Sequence, residues 1–298
     1  MLLLLLPLWK IFFPVPARTR RLFCFCFAFC LFSCEERTKT MSFYYWDPSF
    51  TLDSVEGNTL RDNNVQTLYI RYFDVDWVPA DSAPAPVAPL NYGTSPTTYA
   101  IIPVVSIRNR VFEKLLPAAI PAFTANIFAD VRSINATRHL ENREIQFDCD
   151  WTQKTRENYF SFLREYRRLS VQTISSAIRM SQLRYPDGAG IPPVDHGVLF
   201  YFNFEETDSG NEHSAYERAI AHRYTPSLRS YPLTLDVALP LFSTGRSTRD
   251  GEDLFEIVAD INRHSNHHIR NLIFFDLDRE NLSRYDPNVF KEALTRFD

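Results

Sequence analysis

The chain has 298 residues, 45% of them hydrophobic, which is enough for the core of one large domain or two small ones. Its formal net charge is −4, and the sequence contains no basic stripe and no phosphate-binding glycine loop, which argues against a nucleic-acid-binding protein. The sequence also lacks the Cys and His spacing that is typical of a zinc site.

The N-terminal residues have the features of a targeting segment. Four basic residues precede an apolar run at residues 22–33, which is too short to span a bilayer and has the length of a signal-peptide core. The run ends in Leu31-Phe32-Ser33-Cys34, which resembles the lipobox of bacterial lipoproteins, and this resemblance implies a diacylglycerol thioether on Cys34. We therefore predict a lipoprotein signal peptide at residues 1–33 and a tether at 34–42. An ordinary secretory signal or a mis-assigned start is the alternative.

Cleavage before Cys34 changes both the charge and the cysteine count. It removes four basic and no acidic residues, so the formal net charge goes from −4 to −8. Of the five cysteines, only Cys149 would remain in the fold, and we expect no disulfide framework. We interpret Cys149 as a small apolar residue that faces the helices. The predicted location is the bacterial cell envelope, with the lipid on Cys34 as the membrane anchor.

Eight β-like apolar segments follow, at residues 43–46, 67–76, 100–107, 144–150, 173–182, 197–204, 233–242 and 272–278. Helical patterns lie at residues 111–140, 155–168 and 254–262, and Asp286-Pro287 predicts the start of a last helix that runs to Phe297. Strands that alternate with helices over residues 43–298 predict a single-domain (β/α)8 TIM-type barrel, an α/β fold of about 250 residues. An open doubly wound sheet is the competing fold, but a chain with only 8 glycines has few of the turns it normally uses.

Residues 79–96 and 203–230 are predicted to be long loops on the C-terminal face of the barrel. Long loops on that face usually shape a substrate cleft. A simple disordered crossover is the alternative for the first of them.

Four predicted strands end in the same pattern of an aromatic residue, an acid or amide, a spacer and a carboxylate. The endings are Phe73-Asp74-Val75-Asp76, Phe147-Asp148-Cys149-Asp150, Phe202-Asn203-Phe204-Glu205 and Phe275-Asp276-Leu277-Asp278. Because side chains alternate along a strand, both polar residues of each ending share one face. The residues before the endings are largely apolar on both faces, as in strands buried on both sides. Carboxylates at the C-terminal tips of such strands lie where an α/β barrel keeps its active site.

These endings fall on the second, fourth, sixth and eighth predicted strands, and alternate strands of a barrel place equivalent residues at equal height. We therefore expect these side chains to face inward at the barrel mouth: Asp74, Asp76, Gln146, Asp148, Asp150, Tyr201, Asn203, Glu205, Asp276 and Asp278. The odd-numbered strands would add Arg179, Ser181 and Asp236. So many carboxylates repel one another, which raises the pKa of at least one, and a raised carboxyl pKa suits a general acid.

Two chemistries fit these residues. In a glycoside hydrolase, Glu205 would donate the proton, Asp150 would act as base or charge stabiliser, and Asp148 would tune its neighbour. The residues expected to bind substrate or set pKa values are Asp74, Asp76, Arg179, Tyr201, Asn203, Asp276 and Asp278. In the second chemistry, the carboxylates hold Mg²⁺ or Ca²⁺ for hydrolysis of a phosphate ester or a similar bond. No other cofactor is expected.

Tryptophans near the strand ends are candidates for stacking on sugar rings. They are Trp46, Trp77 and Trp151. The alternation of side chains turns Trp77 and Trp151 outward, which favours core packing for these two.

Two resemblances to known families accompany these motifs. An uncharacterised family of bacterial lipoproteins with a glycoside-hydrolase-like barrel is similar over the mature chain, through Phe43-Tyr44-Tyr45-Trp46, Tyr72-Phe73-Asp74-Val75-Asp76-Trp77, Gln146-Phe147-Asp148-Cys149-Asp150-Trp151-Thr152 and Ala177-Ile178-Arg179. This resemblance implies the fold and the location, and no particular activity. The fourth strand is also similar to the family 18 glycoside hydrolase signature, Asp-x-x-Asp-x-Asp-x-Glu, whose second and third acids match Asp148 and Asp150. Ile145 stands at the first position and Thr152 at the catalytic Glu, so another residue such as Glu205 must supply the acid.

The sequence therefore predicts a glycoside-hydrolase-like enzyme that is anchored to the bacterial envelope and acts on a glycan. The alternatives are a non-catalytic glycan-binding or envelope protein with a degenerate barrel site, and a divalent-metal-dependent hydrolase. Buried acid ladders are purely structural when groups such as Arg179, Asn203 and the backbone satisfy them. A glycan is the expected substrate or ligand in the first two cases.

Overall fold

The computed structural model describes residues 39–93, 98–202, 223, 225–241, 250–265 and 269–297. The predicted signal peptide, Cys34 and most of the tether lie outside the described residues. Lys39–Asp298 make up one compact unit. No helix in the described ranges is long and apolar enough to cross a membrane.

The eight strands of the barrel lie where the apolar runs of the sequence predict them, and three short strands, Ser49–Phe50, Ala83–Val87 and Asn91–Tyr92, were not predicted. In chain order they are β1 (Met41–Tyr45), β2 (Ser49–Phe50), β3 (Thr67–Val78), β4 (Ala83–Val87), β5 (Asn91–Tyr92), β6 (Ala100–Ile107), β7 (Glu144–Asp148), β8 (Thr173–Arg179), β9 (His196–Phe200), β10 (Leu235–Pro240) and β11 (Ile269–Phe275). Eight of them pair in parallel around a closed ring, in the order β1-β3-β6-β7-β8-β9-β10-β11, with β11 returning to β1. The predicted (β/α)8 TIM-type barrel is confirmed, and each of its strands overlaps a predicted segment.

Helices connect the barrel strands and cover the outside of the barrel. They are α1 (Ser54–Asp62), α2 (Asn109–Lys114), α3 (Ile120–Arg138), α4 (Arg156–Leu169), α5 (Met180–Arg184), α6 (Pro186–Ala189), α7 (Glu252–His264), α8 (Arg279–Leu282) and α9 (Val289–Arg296), with 3-10 turns at Pro117–Ala119 and Thr225–Ser230. In α4, large apolar side chains recur on one face. The rings of Phe162 and Tyr166 pack on Phe147 of β7, with centroids 4.9 and 4.7 Å from it. This aromatic stripe holds α4 against the barrel wall.

Alternation along the strands divides the apolar side chains between two cores. The outer core lies between the barrel wall and the helices and includes Phe43, Phe147 and Phe274. The inner core fills the barrel with Tyr44, Tyr69, Ile102, Val104, Ala177, Val198, Phe200, Phe202, Ala238 and Ile273. Cys149 is buried in the outer core, and burial raises the pKa of its thiol, so it packs there as a protonated, apolar side chain.

Several predicted element boundaries are wrong, including those of the fifth strand and the last helix. The fifth predicted strand, 173–182, ends at Arg179 because Met180 begins α5, so Ser181 is not a strand residue. The Arg179 backbone N–H donates to the side chain of Gln182 at 2.8 Å, which closes the first turn of that helix. The last helix begins at Val289 rather than at residues 286–287, since its N-cap is Asn288.

Residues 83–87, predicted to be part of a long loop, form an edge strand. β3 continues past the barrel wall to Val78 and pairs there with the antiparallel β4. Pro84 and Pro86 lie on β4, the last strand of the sheet. An edge strand tolerates proline, because no further strand needs its backbone N–H groups. Residues 94–97 of the first predicted loop and most of the second, 203–230, lie outside the described residues.

Candidate functional site

The C-terminal mouth of the barrel has an aromatic floor, made of Trp46, Phe200, Phe202 and Phe275. The ring centroids of Phe200 and Phe202 are 5.2 Å apart, and Phe275 lies 5.5 Å from Phe202. Trp46, which follows β1, lies 5.4 Å from Phe275, and both of these rings are partly exposed. Partly exposed rings at the mouth of a barrel are suited to stacking on the apolar faces of a ligand.

Arg179 joins two carboxylates that were predicted to be catalytic, Asp148 at the end of β7 and Asp150 just after it. Its Nη2 lies 2.8 Å from Asp148 Oδ1, and its Nε lies 2.5 Å from Asp150 Oδ1. The guanidinium also lies 4.5 Å from the centroid of the Phe200 ring. The side chain of Asp148 is 8% exposed and that of Asp150 is 60% exposed, so the cluster extends from the interior to solvent. The structure therefore brings these three predicted site residues together.

These contacts set the charge state of the cluster. Burial raises the pKa of Asp148 and outweighs the opposite effect of Arg179. Burial lowers the pKa of Arg179, but Asp148 and Asp150 raise it more, so its pKa lies above the ordinary value and it stays charged. Asp148 is thus too buried to reach a ligand, and Asp150 is held by a cation. Neither is placed to give a proton to a leaving group in this arrangement.

Asp74 and Asp76, on β3, are both held by arginines. Arg71 Nε lies 2.7 Å from Asp74 Oδ1, and Arg108 Nη2 lies 3.8 Å from Asp74 Oδ2. Arg110 contacts both carboxylate oxygens of Asp76, which lowers the pKa of Asp76 and keeps it ionised. The two aspartates therefore lie at the mouth in ion pairs, and their role in substrate binding stays a prediction.

A β-bulge explains why Arg71 was not among the predicted mouth residues. The pairing of β3 with β6 shifts register between Arg71 and Phe73, and both Tyr72 and Phe73 lie in the outer core. Arg71 and Asp74 consequently contact each other three residues apart. A strict two-residue alternation does not anticipate this contact, because a bulge inserts one extra residue into the strand.

The two carboxylates that follow β11 differ from each other. Asp276 is half-buried and accepts a hydrogen bond from Asn281 Nδ2 at 2.7 Å. Burial raises the pKa of Asp276 to about 6, and the nearby Asp278 adds to this effect. Asp278 caps α8, since its Oδ1 accepts from the backbone N–H groups of Glu280 and Asn281 at 2.8 and 3.2 Å. A raised carboxyl pKa was expected among these residues, and Asp276, predicted to bind substrate, has one.

The inward orientation predicted for Tyr201 is wrong. Its ring lies in the outer core, and its hydroxyl donates to Asp260 Oδ2 of α7 at 2.5 Å. The inward side chains at this point of the chain are Phe200 and Phe202. The sequence does not determine the orientation of this strand, because it has apolar residues on both faces. The prediction assumed that the polar residues face the mouth, and this assumption is wrong for Tyr201.

Thr152 stands where family 18 enzymes have their catalytic Glu. It is exposed, and its backbone N–H donates to Thr155 Oγ1 at 2.9 Å in the turn before α4. The adjacent Trp151 is buried in the outer core, in keeping with the packing role predicted for it. Asn203 and Glu205 lie outside the described residues, so the assignment of Glu205 as proton donor stays a prediction.

A second polar cluster lies inside the barrel at its N-terminal end. His196 Nε2, at the start of β9, lies 3.1 Å from Glu144 Oε1 and 3.6 Å from Asp236 Oδ2. Ser175 donates to Glu144 at 2.8 Å, and Asn271 donates to Asp236 at 3.0 Å. The expectation that Asp236 lies at the mouth is wrong, because it is the second residue of β10 rather than one near its C-terminal end. Sequence reasoning missed this cluster since its members begin strands and belong to no shared motif.

Arginines occupy the space beside the carboxylates where a divalent cation would bind. Asp74, Asp76 and Asp150 each contact a guanidinium. Within the described ranges, no group of three or more His, Cys, Asp or Glu side chains could hold a metal ion. The described part of the mouth therefore offers no donor set for the Mg²⁺ or Ca²⁺ alternative.

Solved structures share the fold of this chain, whereas no protein-family model and no curated protein matches it. The spore cortex-lytic enzyme SleL of Bacillus cereus has a TM-score of 0.55 at 12% identity, over 88% of this chain and 75% of that one. Active domain 2 of the thermostable chitinase from Pyrococcus furiosus, complexed with chito-oligosaccharides, has a TM-score of 0.51 at 11% identity, over 87% and 94%. The chitinase-like agglutinin RobpsCRA from Robinia pseudoacacia has a TM-score of 0.51 at 12% identity, over 86% and 99%. At these identities the likeness concerns the fold alone, which is a (β/α)8 TIM barrel.

Proposed function

We propose that this protein binds a glycan at the C-terminal mouth of its barrel and is held in the bacterial cell envelope by a lipid on Cys34. The observation that carries the proposal is the aromatic floor, which lies next to Arg179 and the two aspartates that it pairs with, Asp148 and Asp150. Aromatic faces stack on sugar rings, and the charged pairs offer hydrogen bonds to sugar hydroxyls. The chito-oligosaccharide complexes of the chitinase neighbour support a glycan as the ligand.

The contacts of Asp148 and Asp150 favour binding without hydrolysis. Arg179 holds Asp150 at 2.5 Å, and Asp148 is buried. Thr152 supplies no carboxylate at the position of the catalytic Glu of family 18 enzymes. A barrel with these features keeps a site for sugars and lacks the proton donor of that family.

Hydrolysis is a second candidate, and Asp276 favours it. A carboxyl group with a pKa of about 6 retains a proton at mildly acidic pH, as a general acid must. In this candidate Asp276 or Glu205 donates the proton to the glycosidic oxygen. Asp150 then acts as base or charge stabiliser once substrate binding has drawn it away from Arg179.

Calorimetric titration of the full chain with chitohexaose tests the binding proposal. Trp46→Ala should weaken binding by about tenfold, because an aromatic contact contributes up to about 1.5 kcal/mol. Phe255→Ala on α7 is the matched control. Both rings are partly exposed and lie near an arginine: the Trp46 centroid is 5.6 Å from Arg71 Cζ, and the Phe255 centroid is 3.9 Å from Arg296 Cζ. Absence of binding to the wild-type chain, or an equal loss in both variants, would contradict the proposal.

Product analysis separates the two candidates. If the protein hydrolyses chitohexaose through Asp276, activity should fall as the pH rises through about 6, because the acid must be protonated. Asp276→Asn should then abolish product release, and Glu205→Gln should do so if Glu205 is the donor. Binding with no product from the wild-type chain would leave the non-catalytic function.

The lipid anchor is tested separately from the glycan site. Mass spectrometry of the protein isolated from membranes should find an N-terminal Cys34 with attached acyl chains, and Cys34→Ser should release the protein from the membrane fraction. An unmodified Cys34 in the wild-type protein would reject the anchor and leave the barrel proposals untouched.

A further inference from the structure

We propose that two exposed arginines at the mouth, Arg108 and Arg110, select a glycan that carries carboxylate groups. This inference rests on the proposed glycan binding and adds the charge of the ligand to it.

The arginines on this side of the mouth are more exposed than the aspartates with which they pair. The side chains of Arg108 and Arg110 are 59% and 57% exposed, whereas those of Asp74 and Asp76 are 11% and 18% exposed. The positive groups therefore face solvent, and the negative groups lie beneath them. A ligand that approaches this side meets guanidinium groups first, which favours an anion.

Arg108 has hydrogen-bond donors to spare. Its carboxylate neighbour, Asp74, already accepts from Arg71 Nε at 2.7 Å, while Arg108 Nη2 stays 3.8 Å away. Among the described residues, no side chain or backbone oxygen accepts a hydrogen bond from the Arg108 guanidinium. A guanidinium has five N–H donors in a planar fork that matches a carboxylate, so Arg108 is equipped for such a ligand.

Arg110 and Lys114 extend the positive surface along α2. Arg110 contacts Asp76 through Nε and Nη2, which leaves Nη1 for another acceptor. Lys114 lies 5.4 Å from the ring centroid of Trp77. The acidic side chains that follow β11 lie away from this surface, because β1 and β3 separate β11 from β6. Exposed Glu113 also lies on α2, where it accepts a hydrogen bond from Asn109 Nδ2 at 3.2 Å. The place where a sugar carboxylate can bind is therefore the part of the mouth lined by Arg108 and Arg110.

Two glycans with the same N-acetylglucosamine backbone test this inference. Chitohexaose is neutral, whereas peptide-free peptidoglycan strands carry a lactyl carboxylate on every second sugar. The full chain should bind the carboxylated strand at least about tenfold more tightly, since a charge-assisted hydrogen bond contributes about that factor. The difference should shrink as the salt concentration rises.

Variants locate the effect. Arg108→Ala should lower the affinity for the carboxylated strand about tenfold and leave the affinity for chitohexaose unchanged. Arg108→Lys keeps the charge but not the planar fork of N–H donors, so its affinity for the carboxylated strand should lie between those of the wild type and Arg108→Ala. Arg168→Ala is the matched control. Arg168 is 73% exposed and paired with Glu165, near the C-terminal end of α4 and away from the mouth. Circular dichroism shows whether each variant folds. If Arg108→Ala does not fold, Arg110→Lys is tested in its place.

The outcomes distinguish this inference from the proposed function. Equal affinity for the two glycans would overturn the charge selection and leave glycan binding intact. An equal loss for both glycans in Arg108→Ala would also overturn it. Binding of neither glycan would overturn both proposals.

Discussion

Arg179→Met tests how the barrel mouth holds its buried carboxylate. The substitution keeps much of the side-chain length but removes a guanidinium that lies 2.8 Å from Asp148 and 2.5 Å from Asp150. Asp150 is 60% exposed, so water can replace its partner. Asp148 is only 8% exposed and would keep an unpaired charge in the interior. The loss in the free energy of unfolding therefore comes mainly from Asp148.

The expected loss is about 3 kcal/mol in the free energy of unfolding at pH 7. Removing one member of a buried ion pair costs about 3–5 kcal/mol, and we expect the lower end because Arg179 is 25% exposed and water can enter where it leaves. Such a loss is large beside the total stability of a folded protein, about 5–15 kcal/mol.

The loss should shrink at acidic pH. Burial raises the pKa of Asp148 and Arg179 lowers it, so removing Arg179 lets burial raise this pKa further in the folded variant. The penalty is present in full above the folded pKa of the variant and is lost as the pH falls from there toward the unfolded pKa, because a protonated Asp148 carries no buried charge.

Urea unfolding at pH 7 and pH 5, followed by tryptophan fluorescence, measures both effects. Asp148→Asn completes a double-mutant cycle, and the double variant should lose less stability than the sum of the two single variants. Arg168→Met is the control, since its exposed pair with Glu165 contributes at most about 1 kcal/mol. A cost below about 1 kcal/mol for Arg179→Met, or the same cost at both pH values, would refute the reasoning.

Three further predictions, made with four substitutions, test other parts of the structure by urea unfolding. Burial lowers the pKa of His196, but Glu144 raises it more, so the pKa lies above its ordinary value. The charge of His196 therefore stabilises the fold below about pH 6.5, and this contribution is lost as the pH rises through the folded pKa. His196→Ala should lower the free energy of unfolding more at pH 5 than at pH 8, and an equal loss would contradict this. Tyr201→Phe should lower stability by about 1–3 kcal/mol through the lost hydrogen bond to α7 and leave chitohexaose affinity unchanged, whereas weaker binding would place Tyr201 in the site after all. Gly251→Ala should lower the free energy of unfolding by roughly 1–3 kcal/mol, because Gly251 has a φ of 75° and an added Cβ would meet a side chain of α9. Gly57→Ala in α1 should raise it by about 0.5–1 kcal/mol, since nothing lies within 4 Å of the new Cβ. Equal effects of the two substitutions would reject the strain assigned to position 251.

The barrel could be predicted because its strands are buried on both faces. Each one leaves a short apolar run in the sequence, as in residues 68–70 and 272–274, and amphipathic patterns such as that of α4 lie between them. Eight such runs that alternate with helices suit few folds other than a closed parallel barrel. The convergence of Asp148, Asp150 and Arg179 followed from the same alternation, since β7 and β8 are neighbours and all three residues lie near the ends of these strands.

The details of the site could not be predicted because they depend on local departures from regular strands. A bulge brings Arg71 together with Asp74, and an apolar inner wall turns Tyr201 outward. The pKa of Asp276 depends on burial, which is a property of the folded surroundings rather than of the sequence pattern. The arginines after β6 belong to no strand-end motif, and only their contacts with Asp74 and Asp76 connect them with the mouth.

A crystal structure of the protein with chitohexaose tests the central claim most directly. The account predicts sugar rings stacked on Trp46 and Phe275 at the C-terminal mouth of the barrel, with hydroxyl groups near Asp150 and Arg179. A chitohexaose chain bound elsewhere on the protein, or an empty mouth at saturating chitohexaose, would contradict the account.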